Sequence, residues 1–348
     1  MPRDATVPAG ARAVTAVAPA KINLLLGVGD LRPDGFHDVR TVYRAVDLWE
    51  EVTVGFAGPE PDPAPDYGAQ GGAIGPDDDD ISITVSGPGS DQVPTDRTNL
   101  AARAVELLRD EASSDARFAI QIRKGVPVAG GMAGGSADAA AALVAANRLL
   151  GLGLSRAALE ERGAQLGSDV PFCVRGGTAV GTGRGEELAT LLHARTPQHV
   201  VVALADGGLS TPVVFAELDR LRAENSGDPD HVLVTARVRG TEPLVQALAS
   251  LDPAEVAGLL ANDMEPAALS LMPALRRTLR AGREAGALQG MVSGSGPTCL
   301  FFCSDREHAI SVAAEISESG VAREVRITSG PVGGAQIIDG PRGTLTGK

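Results

Sequence analysis

Four glycines running straight into an alanine-rich segment constrain this chain more than any other feature. The stretch is Pro127-Val128-Ala129-Gly130-Gly131-Met132-Ala133-Gly134-Gly135-Ser136, followed by Ala137 to Leu150. Glycine gives up more conformational entropy on folding than any other residue. Clustering Gly130, Gly131, Gly134 and Gly135 therefore makes sense where the backbone must reach positive φ or press close to a ligand. The residues that follow are strong helix formers and Ser136 suits an N-cap, so a helix is expected from about Ser136. Its first N–H groups have no intrahelical partner and carry the positive end of the macrodipole, which makes the loop a cradle for an anion such as phosphate. No Lys-Ser or Lys-Thr follows a G-x-x-x-x-G frame and no G-x-G-x-x-G follows a strand, so the loop is neither a Walker loop nor a dinucleotide fingerprint. G-x-S-x-G is not satisfied at Ser136, which disfavours a hydrolase. The plain alternative is a glycine hinge or a tight helix–strand crossing.

Only a large core could use the 43% hydrophobic content of these 348 residues, and the length suggests two lobes. No apolar run approaches the roughly 18 residues that span a bilayer, and the N-terminus lacks a signal-type segment, so the expected compartment is the cytoplasm. Cys173, Cys299 and Cys303 lack C-x-x-C spacing; reduced thiols and no structural metal are expected. A net charge of −13 argues against nucleic acid or an anionic membrane as partner, because both need basic patches. The only lysines are Lys21, Lys124 and Lys348, and the first two fall beside motif segments.

Along the chain, Val14 to Val28 reads as extended but interrupted at Pro19-Ala20-Lys21-Ile22-Asn23, and Thr41 to Val54 alternates as a second strand. Residues 57–80 shift to Pro, Gly and Asp and end in four aspartates, the composition of a disordered insertion. Strands are expected at Ile81–Val85 and Phe118–Ile122, and helices at Thr98–Leu108 and Ser155–Leu166. Ser168-Asp169-Val170-Pro171-Phe172 then leads into a strand through Val180. Domain bounds are expected at 1–190 and 198–330, with a loop at Ser226 to His231 and a tail over 331–348. The second half reads as mixed helices and strands, with its own glycine turn at Ser293-Gly294-Ser295-Gly296-Pro297.

Four separated pieces call for one explanation: Pro19-Ala20-Lys21-Ile22-Asn23, the glycine loop, Gly167-Ser168-Asp169-Val170-Pro171, and Ser293 to Pro297. In this order they resemble the GHMP small-molecule kinases. The resemblance implies an α+β, two-lobe GHMP kinase fold: an N-terminal α/β lobe with a left-handed βαβ crossover, a C-terminal ferredoxin-like lobe, and substrates in the cleft between. Asp34-Gly35-Phe36-His37 and Ser210-Thr211-Pro212 ahead of Phe215 narrow it to members whose substrate carries a cytidine diphosphate group. Asp169 would then accept the hydroxyl proton, Lys21 would neutralise charge between Asp169 and the γ-phosphate, and Asn23 would hold the substrate alcohol. His37 would hydrogen-bond the cytosine edge, with Phe36 and Phe215 on the ring faces and Thr211 and Pro212 lining the approach. For ATP, Asn99, Leu100 and Lys124 match positions around adenine. Gly130, Gly131, Met132, Ala133, Gly134, Gly135 and Ser136, with Pro127 and Ala129, would hold the triphosphate. The chain departs from the common family pattern at Phe36, where a tyrosine is usual. Magnesium is implied as the ATP complex, with Ser136 a candidate ligand by position alone. The alternatives are a member acting on another alcohol, such as mevalonate, homoserine or a sugar, and a noncatalytic nucleotide-binding regulator. The presence of both Lys21 and Asp169 argues against the regulator.

Overall fold

The computed structural model describes residues 12–57, 80–128, 130–192, 197–224, 240–250 and 252–338. Most of the acidic insertion, the loop at 226–231, Ala129 and the end of the tail lie outside them.

In the first lobe, β1 (Ala13–Leu31) and β2 (His37–Phe56) form a long antiparallel pair. β3 (Ile81–Ser86), α1 (Leu100–Glu111) and β4 (Phe118–Arg123) form a crossover unit whose two strands pair in parallel. Next come α2 (Gly134–Leu149), α3 (Arg156–Leu166), α4 (Val170–Arg175), and the hairpin of β5 (Thr178–Thr182) and β6 (Glu187–Thr190). The strand expected through Val180 appears as β5, and the short α4 occupies the segment directly after Asp169. Val-Pro-Phe-Cys-Val is an apolar run that periodicity cannot assign, and a proline in a first turn is tolerated because its missing N–H has no intrahelical partner to lose.

The second lobe opens with β7 (Gln198–Leu204) and α5 (Thr211–Glu224), then α6 (Glu242–Ala247), α7 (Pro253–Ala257), β8 (Ala261–Asn262), α8 (Glu265–Leu271) and α9 (Leu275–Glu284). It closes with β9 (Gln289–Val292), β10 (Cys299–Cys303), α10 (Arg306–Glu318) and β11 (Glu324–Gly330). Its sheet runs β11-β7-β10-β9, all antiparallel. This is the strand order of a ferredoxin-like lobe. The helix α8 was not foreseen from the sequence.

β1 belongs to both cores. Val14, Ala16 and Ala18 pack with α1 and α2, whereas Ala20, Ile22 and Leu24 pack with Val200, Val202 and Leu300 of the second lobe. The strand does not break at Pro19; its pairing with β2 shifts register between Pro19 and Ala20 and again between Asn23 and Leu25. Such irregularities re-aim side chains, and these two bracket Lys21 and Asn23.

The first part of the expected tail is no tail. Residues 336–337 form β12 (Gln336–Ile337), antiparallel to β1, and the Val332 amide donates to the Ala45 carbonyl at 3.2 Å. No helix among the described residues is long and apolar enough to cross a membrane.

Candidate active site

Between the lobes lies a cleft of about 800 Å³. Its floor is the glycine loop. α2 begins at Gly134 rather than at Ser136: Ala133 stands at its cap with φ 60°, and no side chain caps the helix. A non-glycine residue at positive φ is uncommon and costs about 1–2 kcal/mol. Here it leaves the N–H groups of the first turn to the cleft, where Gly134, Gly135 and Ser136 line the wall. Gly131 adopts φ +69°, and a Cβ there would come within 2.2 Å of the Ser293 carbonyl oxygen. The second glycine turn is thus seated on the first. Asn262 steadies that turn, donating from Nδ2 to the carbonyls of Val292 (2.9 Å) and Gly294 (2.8 Å). Lys21 N donates to the Met132 carbonyl at 3.2 Å and ties β1 to the loop. Met132 itself is fully buried, so it packs in the core beneath the cleft. Pro127, Gly130 and Ala133 line the cleft with the loop's other residues; Ala129 is outside the described residues.

Lys21 and Asp169 meet as the sequence led us to expect. Lys21 Nζ lies 3.4 Å from Asp169 Oδ2 and donates to Asn23 Oδ1 at 2.9 Å. Asn23 Nδ2 donates to the Thr41 hydroxyl at 2.7 Å, and that hydroxyl donates to the Leu25 carbonyl at 2.7 Å. The chain of bonds fixes Asn23 with its acceptor towards the lysine. Asp169 is the residue before α4, and its side chain remains 29% exposed. Its other oxygen, Oδ1, accepts from the Tyr43 hydroxyl at 3.0 Å. Burial, and next the Asp169 charge, hold the Tyr43 phenol well above its ordinary pKa, so it stays a donor. Sequence reasoning missed Tyr43. A two-residue count along β2 from His37 reaches it on the same face.

Lys124 is arranged differently. Its ammonium lies 2.6 Å from Glu50 Oε1 and 2.5 Å from Asp138 Oδ2, all three nearly inaccessible. Burial first, and then the Asp138 charge, push the Glu50 carboxyl up to about 8; burial also raises Asp138. Burial pulls Lys124 down, but the two carboxylates outweigh it and its net shift is upward. The lysine expected beside adenine therefore spends its charge on its own neighbours. Asn99 is likewise occupied: it caps α1, accepting from Ala101 N at 2.8 Å, and donates from Nδ2 to the Pro94 carbonyl at 2.7 Å. Neither Asn99 nor Leu100 lines the cleft; Gln92, Val93 and Pro94 do.

At the other end, Phe36, His37, Thr211, Pro212 and Phe215 all line the cleft. His37 stacks on Phe215 at 4.7 Å between centroids, with the planes 9° apart. Its Nε2 is engaged by Asp219 at 3.0 Å. Asp219 lies one helical turn beyond Phe215, the spacing that could have found it. Thr211 Oγ1 is 2.9 Å from Ser295 Oγ and joins α5 to the second glycine turn. Phe36 is half exposed, with the Arg184 guanidinium 4.8 Å from its ring centroid. Arg184 was also missed; its signal is a cation between Gly183 and Gly185.

Residues 99–177 match the GHMP kinases N terminal domain, and residues 244–322 the GHMP kinases C terminal family. The chain is 52% identical over 335 residues to the 4-diphosphocytidyl-2-C-methyl-D-erythritol kinase of Mycolicibacterium gilvum, covering 96% of this chain and 95% of that one. It is 52% identical over 322 residues to the enzyme of the same name from Nocardia farcinica, covering 92% and 95%. A crystal structure of 4-(cytidine 5'-diphospho)-2C-methyl-D-erythritol kinase superimposes with a TM-score of 0.64 at 26% identity, over 90% of this chain and 98% of that one. Leishmania major mevalonate kinase shares the fold, with a TM-score of 0.68 at 13% identity over 90% and 94%.

Proposed function

The chain belongs to the GHMP kinase family, and from that premise we propose that it transfers the γ-phosphoryl group of ATP to the 2-hydroxyl of 4-diphosphocytidyl-2-C-methyl-D-erythritol, a step of non-mevalonate isoprenoid precursor synthesis. The observation that carries this reading is one cleft holding both the Lys21–Asp169 pair and, at its far end, Phe36, His37 and Phe215. A reaction centre and a base-stacking platform are thereby joined by a single path.

Phosphoryl transfer asks a protein for positioning and charge stabilisation more than for covalent chemistry. The uncapped first turn of α2 supplies N–H groups to the triphosphate. Asn23 and Asp169 hold the substrate alcohol, whose oxygen attacks the γ-phosphorus while the bond to ADP breaks. Asp169 takes the hydroxyl proton late, as bond formation acidifies it, and Lys21 offsets the negative charge shared by the carboxylate and the moving phosphoryl group. Magnesium usually binds through one or two carboxylates together with substrate phosphates. Among the described residues no group of three His, Cys, Asp or Glu is disposed to hold a metal. Asp138, whose buried Oδ1 lacks a hydrogen-bond partner, and Ser136 are the oxygen donors that suit a nucleotide-borne ion, which would neutralise phosphate charge. The composition accords with a cytoplasmic enzyme.

The direct test is ATP turnover with the cytidine-tagged alcohol. ADP formation that depends on this alcohol is expected. Turnover with mevalonate or homoserine in its place would overturn the substrate assignment, and no alcohol-dependent turnover would overturn the activity.

A further inference from the structure

A substrate that joins cytidine to an alcohol through a diphosphate brings at least two negative charges into the middle of the cleft. Three lysine or arginine side chains line that cleft among the described residues: Lys21, Lys124 and Arg184. Lys21 is paired with Asp169, and Lys124 is enclosed by Glu50 and Asp138. Arg184 is engaged through Nε, 3.2 Å from Glu186 Oε1, and its side chain is one-third exposed. Its two terminal nitrogens have no partner among the described residues.

The position of Arg184 is fixed by its backbone. It sits at the tip of the β5–β6 hairpin between Gly183 (φ +70°) and Gly185 (φ +106°). The Val39 amide donates to the Gly183 carbonyl at 2.8 Å, and Arg184 N donates to Glu186 Oε2 at 2.7 Å. Gly185 lies against Tyr43, where a Cβ would come within 2.3 Å of the phenol oxygen. The tip therefore touches both ends of the site. On one side the guanidinium covers Phe36; on the other Gly185 backs the tyrosine that holds Asp169. A diphosphate linking a base near Phe36 to a hydroxyl at Asp169 has to pass this point. A guanidinium matches phosphate oxygens in bidentate geometry, and Glu186 occupies only its inner edge.

We propose that Arg184 binds the diphosphate of the substrate and sets the preference for a nucleoside diphosphate over the bare nucleoside. This rests on the cytidine diphosphate reading above. The test is calorimetric titration of the full chain with CDP and with cytidine, in wild type, Arg184→Gln and Arg184→Lys. Comparing the two ligands cancels any effect of Arg184 on base stacking. Wild type is expected to prefer CDP by at least about tenfold, as charged hydrogen bonds allow. Arg184→Gln should bring the preference to within about twofold, and Arg184→Lys should keep part of it. In turnover, Arg184→Gln should raise KM for the cytidine-tagged alcohol while KM for ATP stays put. A preference for CDP retained in Arg184→Gln, or absent from wild type, would overturn the proposal alone. Failure of wild type to bind either ligand would overturn the functional reading beneath it. Arg184→Ala with a matching melting temperature provides a second charge-free variant should the glutamine variant misfold.

Discussion

Lys21 stands on β1 and Lys124 directly follows β4, two strands that both pair with β2, and each lysine lies beside the glycine loop and is almost wholly buried, 6% and 4% exposed. Lys21 faces one carboxylate that is open to the cleft. Lys124 faces two that are almost wholly buried, Glu50 behind the cleft wall and Asp138 within it. Burying an ion pair is costly, and removing one partner leaves the other uncompensated. A lysine enclosed by two acids is therefore committed to the fold, whereas a lysine sharing one half-open acid can redistribute its charge to an incoming phosphate. Adjacency to a phosphate loop does not distinguish the two; the number and exposure of the carboxylates does.

The largest expected effect belongs to the open pair. Asp169→Asn should lower kcat by about 10²–10⁴-fold with ATP affinity nearly unchanged; near-normal turnover would remove Asp169 from the chemistry and with it the contrast. Lys124→Met should instead cost about 3–5 kcal/mol of stability, the usual result of stranding buried charge, read from the denaturant midpoint. A stable Lys124→Met protein with weakened ATP binding would make the two lysines alike. Glu50 sharpens the closed cluster through pH. Its carboxyl is raised from 4.5 to about 8, so between those values the folded chain holds a proton that the unfolded chain has released. Stability should fall as pH rises through that window, by at most about 1.4 kcal/mol per unit, and level off above it. Glu50→Gln should flatten the slope; a slope left intact would place the titration elsewhere. The smallest effect is expected for Tyr43→Phe. Losing one hydrogen bond to Asp169, worth about 1 kcal/mol, should reduce kcat roughly fivefold and shift the pH–rate profile, while the melting temperature stays close to wild type.

What the sequence disclosed follows the same division. Lys21, Asn23, Asp169, Phe36, His37 and Phe215 sit in local motifs, where neighbours along the chain already restrict the backbone, and all six line the cleft. Tyr43, Arg184 and Asp219 act through partners 126, 148 and 182 residues away, respectively Asp169, Phe36 and His37; local spacing could flag each residue but not the partner it meets. Departures from expectation arose where one residue type serves two purposes. Asn99 is equally suited to a helix cap and a ligand contact, and the cap prevails. Ser136 is a good cap by type, yet α2 begins two residues earlier because Ala133 takes the strained position. The ferredoxin-like order of the second sheet came from the resemblance, since periodicity fixes strands but not their neighbours.

The segment 332–337 reaches three elements of the reaction centre at once. Val332 bonds Ala45, two residues from Tyr43; the Ala335 amide donates to the Cys173 carbonyl of α4, the helix that Asp169 precedes; β12 pairs with the strand that carries Lys21. Domains generally form in order of synthesis, so the clamp on the first lobe arrives only after the whole second lobe has left the ribosome. A nascent chain ending at residue 330 would carry every motif and lack the brace that aligns them. The first lobe thus takes part of its bracing from residues that follow the whole second lobe in the sequence.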